Sequence, residues 1–357
     1  MKEWLNIIFK SLVIGLLGGF ILLLFFPKLG GGNLFQNINN NTINLENPSG
    51  YADAIAKAAP AVVRITTQLV ESGVEERSLG SGVLIDDLGH IVTNYHVVED
   101  AAAILVALAD GIPMTAQLVG VDEKTDLAVL QVSKKNLPFL TMGDAAPIRV
   151  GDWVLAIGYP FGVGQSTTIG IVSATERVTA KPNLEELFQT DAALNKGNSG
   201  GALINSQGKL IGISSAYLSK DAEGINFGIP ISLTKFVVEH IIRDGKVVRG
   251  WLGVKSGSPL SPLGAQKLGI MDLGGGILIR DLYPDSPATE AGLQVGDIIL
   301  KVNGGLVGDP NRLVQWLSRM EPNTRLLMDV LRPAQEGGKN KSFQTSLVLA
   351  KKPENVI

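Results

Sequence analysis

The chain contains no cysteine. That excludes a disulfide framework, a thiolate zinc site and a cysteine nucleophile, and it leaves the redox compartment open. Histidine is scarce too, with three in 357 residues, so any imidazole chemistry must use His90, His96 or His240. Charged residues make up only 18% and the formal net charge is −3, which gives no reason to expect nucleic acid or an acidic polymer as partner. Glycine, by contrast, is abundant at 42 residues. Glycines set between short β-branched runs predict tight turns and a mainly β fold, and the length accommodates two domains with full cores.

Charge is also missing from Ser11 to Phe26, SLVIGLLGGFILLLFF, a run bracketed by Lys10 and Lys28. It is shorter than the ~20 residues of a bilayer span, but lysines snorkel and Leu5 to Phe9 is mostly apolar as well. A cleaved signal peptide is the rival reading. No small-x-small cleavage site follows, because the run ends in Phe25-Phe26-Pro27-Lys28, and this favours an uncleaved anchor. Lys2 and Lys10 precede the run and the next charge after Lys28 is Glu46, which places the N-terminus in the cytoplasm and the bulk of the chain outside. Residues 1–28 are therefore expected to form a transmembrane helix. Residues 29–50, rich in Gly and Asn, are expected to be a flexible tether.

From Tyr51 the pattern changes to short apolar runs broken by turns, at the spacing of a β-barrel or sandwich and not of βαβ units. The Ser-Gln-Gly within INSQGKLIG reads as a hairpin. One amphipathic helix, SLTKFVVEHIIRDG, is expected to close the region at 245, with Ser232 as N-cap and Gly245 just past its end. Residues 250–352 then read as a second domain, with strand-like GGILIRDL, DIILKVNG and TRLLMDVLR and a helical PNRLVQWLSRM.

Candidate chemistry centres on DAALNKGNSGGALI, residues 191–204. Gly-Asn-Ser-Gly is ordinary turn chemistry. It also suits a nucleophilic Ser199 whose neighbouring glycines let backbone N–H groups converge on a reacting oxygen. A nucleophilic serine needs a base. His90, in DDLGHIV, reads as an exposed turn residue, and His240 as a packing residue on the amphipathic helix. His96, in TNYHVV, stands where an apolar strand gives way to a loop, a position from which scaffolds present functional side chains. Position alone does not assign it. For the orienting acid, Asp126 stands directly before the apolar LAVLQV, where a carboxylate is costly unless paired. Asp122, in what reads as a wet turn, is the fallback.

These segments resemble the HtrA (Deg) family of chymotrypsin-fold serine proteases. GSGVLIDDLGHIVTNYHVV is similar to the family's histidine motif, TDLAVLQV to its aspartate motif and QTDAALNKGNSGGALIN to its serine motif. The resemblance runs from about Tyr51 to the C-terminus, with small departures at Tyr159 and Lys196. It implies a mainly β architecture: a chymotrypsin-like double β-barrel protease domain, 51–245, followed by one PDZ domain, 250–352. It implies His96 as base, Asp126 as its orienting acid, Ser199 as nucleophile, and the amides of Gly197 and Ser199 as oxyanion hole, with no cofactor or metal. Ala193, six residues before the nucleophile, with Leu194 and Ile225, implies a small apolar S1 pocket and cleavage after valine or alanine. RGWLGV resembles the PDZ carboxylate-binding loop, implicating Trp251, Leu252, Gly253 and Val254.

A protease with an uncleaved anchor and a single PDZ domain further resembles the family's envelope-stress members. That likeness implies a homotrimer, single-pass in the bacterial inner membrane, with its catalytic domain in the periplasm. Its substrate would be an anti-sigma-factor-like membrane protein, cut when the PDZ domain binds C-termini of misfolded outer-membrane proteins. The segment 174–189 lies where the family's sensing loop is found, with Arg177 and Glu185 as candidate contacts. Two alternatives remain at this stage: a broad quality-control protease-chaperone, and a non-catalytic PDZ adaptor on a dead protease scaffold.

Overall fold

The computed structural model describes residues 50–353, except 72–73, 144–146, 178–185, 216–223, 272–274, 309–312, 314–315, 318 and 335–337. The expected anchor and nearly all of the tether lie outside the described residues, as does Glu185. So does the Arg177 side chain. Among the described residues no helix is long and apolar enough to cross a membrane.

The fold is mainly β. After helix α1 (Ala52–Ala58), seven strands follow: β1 (Val62–Glu71), β2 (Val74–Leu84), β3 (His90–Thr93), β4 (Ala103–Ala107), β5 (Pro113–Thr115), β6 (Gln117–Asp122) and β7 (Leu127–Gln131). They form one sheet in the order β5-β4-β1-β2-β3-β7-β6. Every residue of β3 and four of the five in β7 are buried. Hence LAVL reads as a continuous apolar run and not as an alternating one, while β3 buries His90 and Thr93 along with its two apolar residues. A four-residue helix, α2 (Tyr95–Val98), follows β3 directly.

Where a double barrel was expected, the first seven strands form a sheet with β5 and β6 at its edges, and six further strands close a barrel: β8 (Trp153–Gly158), β9 (Ser166–Arg177), β10 (Leu187–Thr190), β11 (Ala202–Ile204), β12 (Leu210–Ser215) and β13 (Asn226–Pro230). Its interior includes Val154, Val172, Phe188 and Leu203, each at most 1% exposed. The expected hairpin is present, with β11 antiparallel to β12 across the Ser-Gln-Gly turn.

Helix α3 (Ile231–Asp244) packs on β6 and β7 of the first sheet and on β12 and β13 of the second. Its buried stripe includes Leu233, Val237, His240 and Ile241, the face read from the sequence. Gly245 ends it in the left-handed conformation at φ 74°. The N-terminus differs from expectation. The helix begins at Ile231 behind Pro230, so Ser232 lies inside the first turn and no side chain caps the start.

The C-terminal unit is built from β14 (Gly250–Trp251), β15 (Val254–Pro259), helix α4 (Pro262–Leu268), β16 (Ile277–Leu282), helix α5 (Pro287–Glu290), β17 (Ile298–Val302), β18 (Gly305–Leu306), β19 (Arg325–Arg332), β20 (Lys341–Val348) and β21 (Ala350–Lys351). Its core joins Leu252, Ile279, Ile299, Leu326 and Met328. Ser286 starts α5 with a capping box closed reciprocally by Thr289.

This unit is fastened to the first sheet. Arg249, directly before β14, donates to both carboxylate oxygens of Asp122 at 2.8 and 2.6 Å. A second link runs from α3, where His240 Nε2 lies 2.7 Å from Glu321 Oε1. Arg319 also pairs with Glu186, beside β10.

Candidate active site

Three chain segments meet where the seven-stranded sheet faces the closed barrel. The first is the end of β3 and the start of α2. Asp126, held at φ 56° just before β7, wraps the start of α2. Its carbonyl accepts from Tyr95 N at 3.0 Å and from Asn94 Nδ2 at 2.9 Å. Its carboxylate accepts from His96 N at 3.0 Å. The same carboxylate meets His96 Nδ1, with Oδ2 at 2.7 Å and Oδ1 at 3.0 Å. Asp126 is 6% exposed. A buried carboxylate with this many donors is fixed in position, and it fixes the imidazole in turn.

The other two histidines are occupied elsewhere. His240 Nδ1 faces the Phe236 carbonyl at 2.6 Å and Nε2 faces the Glu321 carboxylate at 2.7 Å, both of them acceptors. His90, read from the sequence as an exposed turn residue, is instead buried at 7%. Asp86 folds back on it, accepting from its backbone N at 3.0 Å and meeting Nδ1 at 2.6 Å. Asp122 also departs from expectation. It is no wet-turn residue but 7% exposed, engaged by Arg249 and by Thr125 Oγ1 at 2.5 Å.

The second segment is 195–201, which carries Ser199, 6% exposed. Gly197 sits at φ 103°, and a Cβ there would stand 2.4 Å from the Tyr159 carbonyl. Gly200 sits at φ 82°, with a virtual Cβ 2.2 Å from the Ser81 carbonyl. Only glycine satisfies both constraints. The turn is closed by Asn198 N to Asn195 O and by Gly201 N to Asn198 O, each 2.9 Å. Ser214 Oγ adds a bond to the Asn198 carbonyl at 2.6 Å.

The third segment is 158–162. Phe161 N donates to the Lys196 carbonyl at 2.8 Å. Burial raises the Tyr159 phenol pKa, with Arg64 partly offsetting it.

Of the residues expected to form the S1 pocket, Ala193 is exposed, Leu194 is half-buried against the barrel's core, and Ile225 is 39% exposed. Thr168 Oγ1 holds the Ala193 carbonyl at 2.8 Å and Asn226 Nδ2 the Ala192 carbonyl at 3.0 Å. In the C-terminal unit Leu252 is buried in the core. The carbonyls of Leu252 and Gly253 accept from Ala288 N and Tyr283 N. Trp251 and Val254 stay half-buried, Trp251 with its ring centroid 5.6 Å from that of Tyr283.

Three residues at this site carry little signal in the sequence. Ser81 was visible only inside the GSG of the histidine motif. Arg249 was visible only as the first letter of RGWLGV, and Asn94 as the residue before a candidate histidine. The described residues include no cluster of side chains able to hold a metal ion.

Fold and site together define a serine endopeptidase: a trypsin-like peptidase domain is matched over residues 80–213 and a PDZ domain over 278–332. The chain is 40% identical over 334 residues to the serine endoprotease DegS of Escherichia coli K12, covering 90% of this chain and 93% of that one. A probable periplasmic DegP-like serine endoprotease of Halomonas elongata is 46% identical over 260 residues, 72% of this chain but 54% of the relative. Among solved structures, the HtrA-type protease AlgW with a bound tripeptide superposes with a TM-score of 0.74 at 42% identity, covering 85% of this chain and 97% of that one. The chain belongs to the HtrA family of serine proteases.

Proposed function

We propose that Ser199, His96 and Asp126 carry out the peptide hydrolysis. Ser199 Oγ attacks the substrate carbonyl. Asp126 occupies His96 Nδ1, so proton transfer with Ser199 uses Nε2, which later protonates the leaving amine. The amides of Gly197 and Ser199 receive the oxyanion. Loss of one such donor costs about 3 kcal/mol of transition-state stabilisation. Ala193, Leu194 and Ile225 line a small apolar S1 pocket, and cleavage follows valine or alanine. Trp251, Leu252, Gly253 and Val254 receive the C-terminal carboxylate of a peptide that adds to the PDZ sheet as an edge strand. Leu252 contributes its backbone alone, because its side chain belongs to the core.

The physiological role we infer is that of a homotrimeric endopeptidase, anchored by residues 1–28 in the bacterial inner membrane with its catalytic domain in the periplasm. It cleaves an anti-sigma-factor-like membrane protein when the PDZ domain binds the C-termini of misfolded outer-membrane proteins. One observation carries this choice within the family: the likeness to DegS spans nearly the full length of both chains. The DegP-like relative is more similar over its aligned part but leaves 46% of its own length unmatched (100% less the 54% covered). Its higher identity favours a second reading, a broad quality-control protease.

Cleavage of an unstructured membrane-protein segment by the full chain, with and without a peptide ending in an aromatic residue and free carboxylate, separates the two. Strong stimulation by the peptide, absent in Ser199→Ala, is expected. High basal degradation of many unfolded proteins, indifferent to peptide, would establish the quality-control reading instead.

A further inference from the structure

Ser81 occupies a position that the triad and the oxyanion amides do not account for. It lies on β2 between Gly80 and Gly82 and is fully buried. Side chains alternate along a strand, so the two glycines face one way and Ser81 the other. The glycine face is filled by the first sheet's core, where a Cβ on Gly80 would stand 2.4 Å from Val97 and one on Gly82 2.6 Å from Ile91. The opposite face carries the Ser81 hydroxyl towards the closed barrel and its loops. There it accepts from Tyr159 N at 2.9 Å and donates to the Gly197 carbonyl at 2.7 Å. The Ser81 backbone is engaged at the same junction, its N–H donating to the Ser199 carbonyl at 2.8 Å and its carbonyl accepting from Thr93 Oγ1 at 2.7 Å.

Two peptide units meet at the Gly197 Cα, and their orientations decide what faces the reacting carbonyl. In the first, the Lys196 carbonyl is held by Phe161 N. No peptide here is cis, so the Gly197 N–H of that unit points the opposite way, away from Phe161. In the second unit the Gly197 carbonyl is held by the Ser81 hydroxyl. Glycine at φ 103° leaves the backbone free to rotate at this point, so the hydrogen bonds must fix it. Without Ser81, the Gly197 carbonyl would lose this donor and the Tyr159 N–H its acceptor, and the second unit would keep only the bond from Asn198 N to the Asn195 carbonyl. A rotated loop would present a carbonyl lone pair, or nothing, where a donor is required.

We propose that Ser81 is a positioning residue for the oxyanion hole, its hydroxyl linking Tyr159 to Gly197 and keeping the Gly197 amide aimed at the tetrahedral intermediate. The proposal rests on the reading of Ser199 as nucleophile. Pre-aimed donors act on the transition state and not on ground-state binding, so the hydroxyl contributes to kcat and little to KM.

The test compares the full-length protein with Ser81→Ala, Ser81→Thr and Ser199→Ala, using labelled casein as an unfolded substrate and a valine peptide boronate as a tetrahedral-adduct inhibitor. Ser81→Ala is expected to lower kcat by roughly 10- to 100-fold with KM within about 2-fold, and to weaken the boronate by the same factor as kcat. Ser81→Thr, which keeps the hydroxyl, is expected to restore kcat to within about 3-fold of wild type. Should Ser81→Ala not be folded at the assay temperature, Ser81→Cys replaces it, with a weaker donor in similar volume and the same expected direction.

Wild-type kcat in the alanine or cysteine variant overturns the proposal. So does an effect on KM alone, or a threonine variant as impaired as alanine. Activity remaining in Ser199→Ala would overturn the underlying reading as well, whereas an inactive Ser199→Ala beside an unimpaired Ser81→Ala removes only the role of Ser81.

Discussion

Arg249 and Asp122, 127 residues apart in sequence, form a bidentate ion pair that is nearly closed to solvent, with side-chain exposures of 12% and 8%. Arg249 directly precedes β14, the first strand of the C-terminal unit, and Asp122 ends the strand before the turn that carries Asp126. The PDZ unit is thereby fastened four residues from the acid proposed to orient His96. Breaking one side of such a pair leaves a buried charge uncompensated, at about 3–5 kcal/mol, whereas replacing both partners by apolar residues is often near neutral. Arg249→Met is therefore expected to lower the denaturation midpoint sharply, and Asp122→Leu with Arg249→Met to recover most of the loss. A double variant as unstable as the single would contradict this account of the junction.

The Asp126 carboxylate accepts from both the backbone N–H and Nδ1 of His96. Asp126→Asn keeps the shape but brings an amide donor towards the ring nitrogen, favouring the wrong tautomer. In the Ser-His-Asp proteases this lowers kcat by about 10⁴-fold. The same order of loss is expected here, with KM little changed and the thermal transition still cooperative. A loss smaller than about 10-fold would remove Asp126 from the proposed triad.

Gly197→Ala sets a methyl carbon 2.4 Å from the Tyr159 carbonyl in a backbone conformation disfavoured for alanine. Forcing it costs of the order of 1–3 kcal/mol in strain. The loop is expected to give way at the oxyanion amides, lowering kcat by at least about 100-fold. Near-normal kcat in a folded variant would contradict the proposed oxyanion hole.

Glu321 provides a pH dependence at the second link between protease and PDZ units. Its pKa is lowered from 4.5, chiefly by the hydrogen bond from His240, against a smaller opposing effect of burial and with help from Arg243. A carboxylate with a depressed folded pKa contributes stability above its unfolded pKa and loses it as pH falls through the folded value. The gap in unfolding free energy between wild type and Glu321→Gln should thus persist above pH 4.5 and close as pH drops below it. The half-exposed carboxylate keeps the gap modest. A gap independent of pH would show that the carboxylate charge does not matter here.

What could be read from the sequence was local. The run containing Ser199 carries its own glycines, and His96 and Asp126 each adjoin an apolar strand. The helix ending at Gly245 shows its stripe in its own fourteen residues. What could not be read depends on partners distant in sequence or on local competition. Asp122 looked wet because Arg249 is far along the chain. Nothing local marks Ser81, because its acceptor lies 116 residues on. His90 looked exposed because nothing in DDLGH announces that Asp86 will fold back on the ring. Ser232 resembled a cap, but Pro230 already sets the turn into the helix.

The central claim is that Ser199, activated by His96, is the nucleophile of this protease. Treating the full chain with a peptide phosphonate and locating the adduct by mass spectrometry tests it directly. A single adduct on Ser199 is expected, abolished by Ser199→Ala and greatly slowed by His96→Ala, with its appearance matching the loss of peptidase activity. Labelling of another residue, or inactivation without an adduct on Ser199, would contradict the account.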